Sequence, residues 1–352
     1  MTAAQFFDLP LAGIIQETPE ARSFVFDIPA ALRRLFEYRA GQFLTLEVPW
    51  NGLRLRRCYS LASAPETDPL PKVTVKRVPT GRVSNWLCDT LRIGDRVSVQ
   101  PPEGRFVLDP TERHRPLTLF GAGSGITPLL SLLKSALAST ERHVLLVYAN
   151  RQPGAVIFHE ELDFLLRRVP RRLEIIHHLV CERGHLDAPG FATYLAGRED
   201  SDVYICGPDR FMEAALTGLD LAGVPAERRH HERFHSPTDP DHRTERRLTT
   251  VAQAPAAVVE SIRMTLNGVE RSIPYRAGQT LLQAAESAGS SPPSSCQDGY
   301  CGCCMGLVRA GRVELASREA LTDRDIQRGW IIACQARPTG EEPVWVDFDA
   351  QY

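Results

Sequence analysis

The chain lacks a net positive charge, long apolar runs and a basic apolar start. Its formal net charge is -2 over 352 residues. Its lysines and arginines form no stripe, so no nucleic acid partner is expected. No stretch approaches eighteen unbroken apolar residues, which argues against a membrane-spanning helix and a membrane partner. The opening MTAAQFFDLPLAGII lacks the basic start and apolar run of an export signal. These absences predict a cytoplasmic protein. No Ser-His-Asp set or carboxylate pair stands out. The pairs His177-His178 and His230-His231 lie in strand-like runs or beside arginines. Neighbours on a strand point to opposite faces, so neither pair can chelate one metal.

What the chain does have is cysteine, nine in all. Without an export signal these read as metal ligands and reduced thiols rather than disulfides. Cys296, Cys301 and Cys304 are spaced by four and then two residues, and twenty-nine intervene before Cys334. That is the ligand spacing of a plant-type [2Fe-2S] centre. Gly299 and Gly302 can take positive φ, which lets loop amides turn toward the sulfides. Cys303, between two ligands, reads as a bystander. Ordinary buried cysteines are one competing reading. Zinc is another, although zinc sites more usually show two short CxxC or HxxxH pairs.

The length suits two or three domains. Residues 1–110 carry short strand-like runs, SFVFDI, QFLTLEV, KVTVKRV and RVSVQPP, separated by turn residues. That pattern predicts a small antiparallel β-barrel. Within it GRVSNWL interrupts the alternation, with Ser84 expected as a helix start whose free amides receive a phosphate. Residues 111–235 alternate apolar runs such as PLTLFGAG, HVLLVYAN and DVYICGP with helical stretches, predicting a doubly wound α/β domain. Residues 236–257, rich in Pro, Thr, Arg and Ala, read as a linker. Residues 258–352 open with two strands joined at Asn267-Gly268, a strong hairpin signal. The helix TLLQAAESAG then leads to the cysteine loop. This last segment carries nine Arg against twelve Asp plus Glu, too mild an acidity to identify a partner.

Arg57-Cys58-Tyr59-Ser60 is the first constellation with chemistry in it. A flavin needs a flat aromatic neighbour, a cation for its phosphates and a hydroxyl near N5, which Tyr59, Arg57 and Ser60 supply. A plain barrel strand explains the same four residues, with Cys58 and Ser60 on one face. GAGSG is a weak phosphate-loop pattern alone, because it is not expected to follow the first strand of the usual fingerprint and lacks its final spacing.

Taken in order, RCYSLAS, VKRVPTGRVSNWL, GAGSGITPLLSLL, YANR, CGPDRFM and ERF resemble the signature of the ferredoxin-NADP reductase superfamily. With the cysteine segment at the end, nearly the whole chain is similar to reductase components of phenylacetyl-CoA epoxidase and 3-ketosteroid 9α-hydroxylase. It is also similar to the reductase of the hybrid-cluster protein. The resemblance implies a flavin β-barrel, a doubly wound α/β domain for NAD(P) and an α+β, β-grasp ferredoxin domain. It places Arg57, Cys58, Tyr59 and Ser60 at the isoalloxazine and phosphate. Val75, Lys76 and Val78 would face the ribityl and adenosine side. Gly81, Arg82, Val83 and Ser84 would meet the pyrophosphate. Gly121, Gly123, Ser124 and Gly125 would form the nucleotide loop, ahead of Pro128, with Thr127 approaching the flavin. Cys206, Gly207 and Pro208 would lie at the nicotinamide, Glu232 near the hydride path, and Phe234 over the flavin face. Ser60, Cys206 and Glu232 are thereby the catalytic candidates.

The implied chemistry runs from NADH or NADPH as a hydride to FAD, then one electron at a time through the [2Fe-2S] cluster. The partner is an oxygenase or another terminal acceptor protein. FAD is expected over FMN because RCYSLAS ends in serine and GRVS follows. Arg151 suits a 2'-phosphate yet does not decide between NADH and NADPH. A non-oxygenase acceptor and a redox-responsive binding module are the other functional readings.

Overall fold

A computed structural model describes residues 5–234 and 260–350, apart from 295, 296, 298, 300, 319 and 322. The expected linker, 236–257, lies outside the described residues. The chain divides into two compact units, one of them Phe6–Phe234 and the other carrying the described residues from 260 onward.

The first unit begins with six strands: β1 Phe7–Thr18, β2 Ala21–Phe26, β3 Phe43–Trp50, β4 Leu53–Ser60, β5 Lys72–Lys76 and β6 Arg96–Glu103. Apolar residues two apart, such as Phe24 with Phe26 and Val97 with Val99, are buried together and form the barrel core. The antiparallel order is β4-β3-β6-β1-β2-β5. β1 pairs with β6 up to Pro10, shifts register near Leu11 and Gly13, and continues beside β2. A single bridge between Leu61 and Val73 joins the two edge strands. Helix α1, Arg82–Thr90, turns Val83, Leu87 and Cys88 into the barrel.

Five parallel strands follow: β7 Leu117–Ala122, β8 Val144–Asn150, β9 Leu173–Leu179, β10 Asp202–Gly207 and β11 Arg229–Arg233. β7, β8 and β10 are buried along their length, as strands covered on both faces must be. The order β11-β10-β7-β8-β9 reverses between β7 and β10. That reversal opens a crevice at the carboxyl ends of those two strands. Helix α2, Ile126–Ser139, leaves β7 through the 3-10 turn Gly123–Gly125, and helix α3, His159–Arg168, follows β8. Contrary to expectation, GAGSG does sit at the first strand of this sheet: Gly121 and Ala122 end β7 and Gly123–Gly125 make the turn into α2.

In the second unit β12 Ser261–Leu266, β13 Val269–Pro274, β14 Met305–Ala310, β16 Trp330–Ile332 and β18 Trp345–Asp347 form one sheet. Its order is β13-β12-β18-β14-β16, with β12 and β18 parallel. β15 Arg312–Leu315 pairs with β17 Ala336–Thr339. Asn267 and Gly268, at φ 55 and 72, make the expected two-residue hairpin, with Leu266 opposite Val269. The Asp349 carboxylate accepts both turn amides, at 2.8 and 2.7 Å. The helix Leu281–Ser287 starts on a capping box of Thr280 and Gln283 and buries Leu281 and Leu282. Among the described residues no helix is long and apolar enough to cross a membrane.

Candidate redox sites

Ser60 ends β4, nearly buried, and its hydroxyl donates to Glu232 Oε2 at 3.0 Å. Glu232 stands on β11 in register with Cys206 of β10, which is itself in register with Gly121 of β7. The sheet thus gathers Ser60, Cys206 and Glu232 beside the glycine loop, at the point where strand order reverses. The protein packed around Glu232 withdraws water and pushes its pKa up to about 7, while the Ser60 hydrogen bond pulls the other way. Burial and then the neighbouring Glu232 charge push the fully enclosed Cys206 thiol well up, which keeps it neutral.

The turn into α1 forms a second feature. The helix begins at Arg82 with Gly81 as its N-cap, so Ser84 is its third residue rather than its start. The Ser84 hydroxyl instead accepts the Val78 amide at 3.1 Å. Asn85, which the pattern gave no reason to single out, donates to the Val78 and Gly81 carbonyls at 3.1 and 2.7 Å. A Cβ on Gly81 would come within 2.6 Å of Ser84 Oγ. With no side chain capping this helix, its leading amides suit a pyrophosphate. Arg57 and Tyr59 are half-buried on β4, and Arg57 Nη1 donates to the Arg56 carbonyl at 2.7 Å. Cys58 Sγ lies 3.6 Å from Thr45 Oγ1. Val75 departs from its expected place: its side chain is wholly inside the barrel core, because β5 alternates inward there. Val78 lies past the end of β5.

The nucleotide loop is packed without slack. A Cβ on Gly125 would sit 2.1 Å from the Cys206 carbonyl oxygen, and one on Gly207 2.7 Å from Phe211. Gly123 takes φ +54, and the Lys76 ammonium lies 3.9 Å from where its Cβ would be. Thr127 is buried and donates to the Ser124 carbonyl at 3.1 Å, so it does not cap α2. Tyr148 holds the loop from below: its hydroxyl donates to the Gly123 carbonyl at 2.8 Å and accepts the Ile157 amide at 3.3 Å. Reading YAN only as an apolar strand end hides that hydroxyl. Asn150, at the end of β8, is buried, and Arg151 after it is exposed. Pro208 is the N-cap of the helix Asp209–Leu221. Phe234 packs half-buried on a cluster that joins Ala21 and Ala62 to Ile126 and Leu129.

The iron-binding candidates lie in the second unit. Cys304 and Cys334 are buried, and the Cys334 amide donates to Cys304 Sγ at 3.4 Å. Gln335 Nε2 reaches Cys334 Sγ at 3.6 Å and the Gln297 carbonyl at 3.2 Å, tying the loop to the turn between β16 and β17 that carries the last ligand. A side-chain hydrogen bond with Cys334, burial, and the nearby Cys334 and Cys301 sulfurs push the Cys304 thiol up, while the Cys334 amide pulls the other way. Gly299 and Gly302 adopt φ +89 and +69, and a Cβ on Gly299 would meet Gln335 Cγ at 2.6 Å. Cys301 and Cys303 are partly exposed, and Cys296 lies outside the described residues. Among the described residues no three His, Cys, Asp or Glu gather around one metal position. A two-iron cluster divides four thiolates between two metals, so interacting sulfurs on a glycine-turned loop fit that group.

Comparison with known proteins assigns each region in turn. Residues 8–108 match an oxidoreductase FAD-binding domain, 119–217 an oxidoreductase NAD-binding domain, and 264–339 a 2Fe-2S iron-sulfur cluster binding domain. The chain is 41% identical to the ferredoxin reductase component of 3-ketosteroid-9-alpha-monooxygenase from Rhodococcus rhodochrous, over 94% of this chain and 93% of that one. It is 32% identical to the glycine betaine monooxygenase reductase of Pseudomonas aeruginosa, over 93% of this chain and 92% of that one. The solved structure of phthalate dioxygenase reductase, described as transferring electrons from pyridine nucleotides to [2Fe-2S], is 27% identical. It superposes with a TM-score of 0.61 over 97% of this chain and 98% of its own.

Proposed function

The chain belongs to the family of FAD- and [2Fe-2S]-containing reductase components of oxygenases, and on that premise we propose which residues carry each step. The protein takes electrons from NAD(P)H and passes them through FAD and the cluster to an oxygenase partner. FAD supplies the exchange of a two-electron hydride for single electrons, and the cluster accepts those one at a time at a potential of roughly -400 mV, the value typical of its plant-type class. Residues 57–60 and 78–84 hold the flavin, and residues 121–127 with 206–208 hold the nucleotide. Cys296, Cys301, Cys304 and Cys334 ligate the irons. Ser60 and Glu232 fix one edge of the hydride path, and Cys206 walls it off from water as a neutral thiol. Phe234 covers the apolar side. Positioning rather than proton transfer dominates such a step.

One observation carries this assignment: the 3.0 Å bond from Ser60 to Glu232, which ties the strand proposed to bear the flavin to the sheet edge beside Cys206. The relatives support an oxygenase as the acceptor rather than another terminal protein. Bound iron sulfide and reduced thiols suit a cytoplasmic setting. The test is direct. The purified protein, reconstituted anaerobically, is expected to show flavin and iron-sulfide absorbance, to release FAD on heating, and to reduce its flavin rapidly with NADH or NADPH. Steady-state kinetics with both nucleotides identifies the donor. A colourless protein, or release of FMN alone, overturns the assignment.

A further inference from the structure

Helix α2 touches both halves of the first unit. Its first turn leaves the glycine loop, and Ser131 stands five residues beyond Ile126, about 7.5 Å along the axis. The Ser131 side chain is fully buried. Its hydroxyl donates to the Ser63 carbonyl at 2.5 Å and accepts the Gly41 amide at 3.2 Å. Ser63 is only three residues past Ser60. A turn further along α2, Lys134 is also buried and bridges Asp68 Oδ1, at 2.8 Å, to Glu161 of α3. Ser135 donates to Glu66 at 2.9 Å.

The segment so gripped has little freedom of its own. Leu61, Ala62, Ser63 and Ala64 are all fully buried. The Ser63 hydroxyl accepts the Lys72 amide at 2.9 Å and the Tyr38 phenol at 2.8 Å, and the Ala64 amide donates to Asp68 at 2.7 Å. Gly41, at φ +91, presses so close to Phe106 that a Cβ would lie 1.9 Å from its carbonyl oxygen. A buried seam of this kind has few alternative packings.

We propose that α2 is the spacer that sets the gap between hydride donor and acceptor, with Ser131 as its positioning residue. This rests on the reading that residues 57–60 hold the flavin and residues 121–127 the nucleotide. The path from the glycine loop through Ser131 to Ser63 and Ser60 is short, and every link in it is buried. Hydride transfer needs the reacting atoms within roughly 3–3.5 Å, and a misplacement of about 1 Å costs on the order of 100-fold. Ser131 touches neither group, so its effect on the reaction passes through the backbone it holds.

The experiment uses the full chain loaded with FAD and cluster, and compares wild type with Ser131→Ala, Ser131→Thr and Ser135→Ala. Stopped-flow mixing with NAD(P)H gives the limiting rate of flavin reduction, the nucleotide Kd and the long-wavelength charge-transfer absorbance of the nucleotide-flavin pair. For Ser131→Ala the limiting rate is expected to fall about tenfold or more and the charge-transfer band to weaken per bound flavin. The Kd and flavin content should stay near wild type. Ser131→Thr is expected to recover most of the rate, and Ser135→Ala to change it little. An unchanged rate and band in Ser131→Ala overturns the proposal, and so does a rate loss that only tracks lost flavin. Should Ser131→Ala fail to fold, Lys134→Met in the same assay decides by the same criteria. If wild type itself reduces no flavin with either nucleotide, the functional assignment fails instead.

Discussion

The iron-binding loop and the hydride site are built in opposite ways. Three of the four proposed iron ligands fall within nine consecutive residues, and the loop's own glycines give it the turns it needs. The hydride site joins Ser60 to Glu232 across 172 positions of chain, and Cys206 and Gly121 come beside them only because β7, β10 and β11 lie in register. One site is written in local spacing, the other in topology. The difference predicts how each fails. A local ligand set is lost one residue at a time, without disturbing the other unit's chemistry. A site assembled by packing is lost through backbone shifts at residues that touch no cofactor.

Cys334→Ser should give the sharpest contrast. Removing one thiolate of four is expected to abolish cluster retention, measured as iron and acid-labile sulfide, and to bring reduction of a one-electron acceptor such as cytochrome c to background. Flavin reduction by NAD(P)H should continue at the wild-type rate. Loss of both steps together would break the contrast. Gly125→Ala tests the opposite arm. A methyl 2.1 Å from the Cys206 carbonyl has only backbone to push against, so the loop must move, at a cost of about 1–3 kcal/mol. With a shift on the order of 1 Å, nucleotide-driven flavin reduction should fall roughly 100-fold. Iron, sulfide and flavin contents are expected to stay near wild type. A normal rate of flavin reduction would show that the loop is not tied to the strand end as tightly as its packing indicates.

The same contrast explains which features are legible in sequence. The hairpin at Asn267-Gly268 and the capped helix behind it are legible because φ preference and capping act over a few residues. The three-region order is legible because strand alternation in the barrel gives way to buried parallel strands in the sheet. Ser84 misleads because serine is a strong N-cap, yet here Gly81 takes that position and the hydroxyl serves Val78. Val75 misleads because a motif fixes a neighbourhood and not a side-chain direction, and β5 alternates that residue into the core. Tyr148 and Ser131 carry no signal, since a hydroxyl within an apolar run looks like filler until the fold brings a carbonyl to it.

Glu232 offers the smallest expected effect, and the most specific one. Burial raises its folded-state pKa to about 7, with the Ser60 hydrogen bond opposing. The folded protein therefore holds this proton more tightly than the unfolded chain, whose carboxyl titrates in the ordinary range near 4.5. The resulting stability is fully present below that range and is lost as pH rises through about 7. The shift would amount to about 3 kcal/mol at most, and because Glu232 as a residue is only partly buried, roughly 1–2 kcal/mol is expected. Glu232→Gln keeps the shape and removes the titration. The Tm of the variant minus that of wild type, measured on FAD-loaded protein, should be small near pH 5 and grow by about 2–8 °C toward pH 8. A difference that stays level across that span would mean Glu232 is no more withdrawn from water than a surface carboxylate. The hydride site would then be open where its packing makes it closed, and the contrast with the iron loop, whose Cys301 and Cys303 are partly exposed, would narrow.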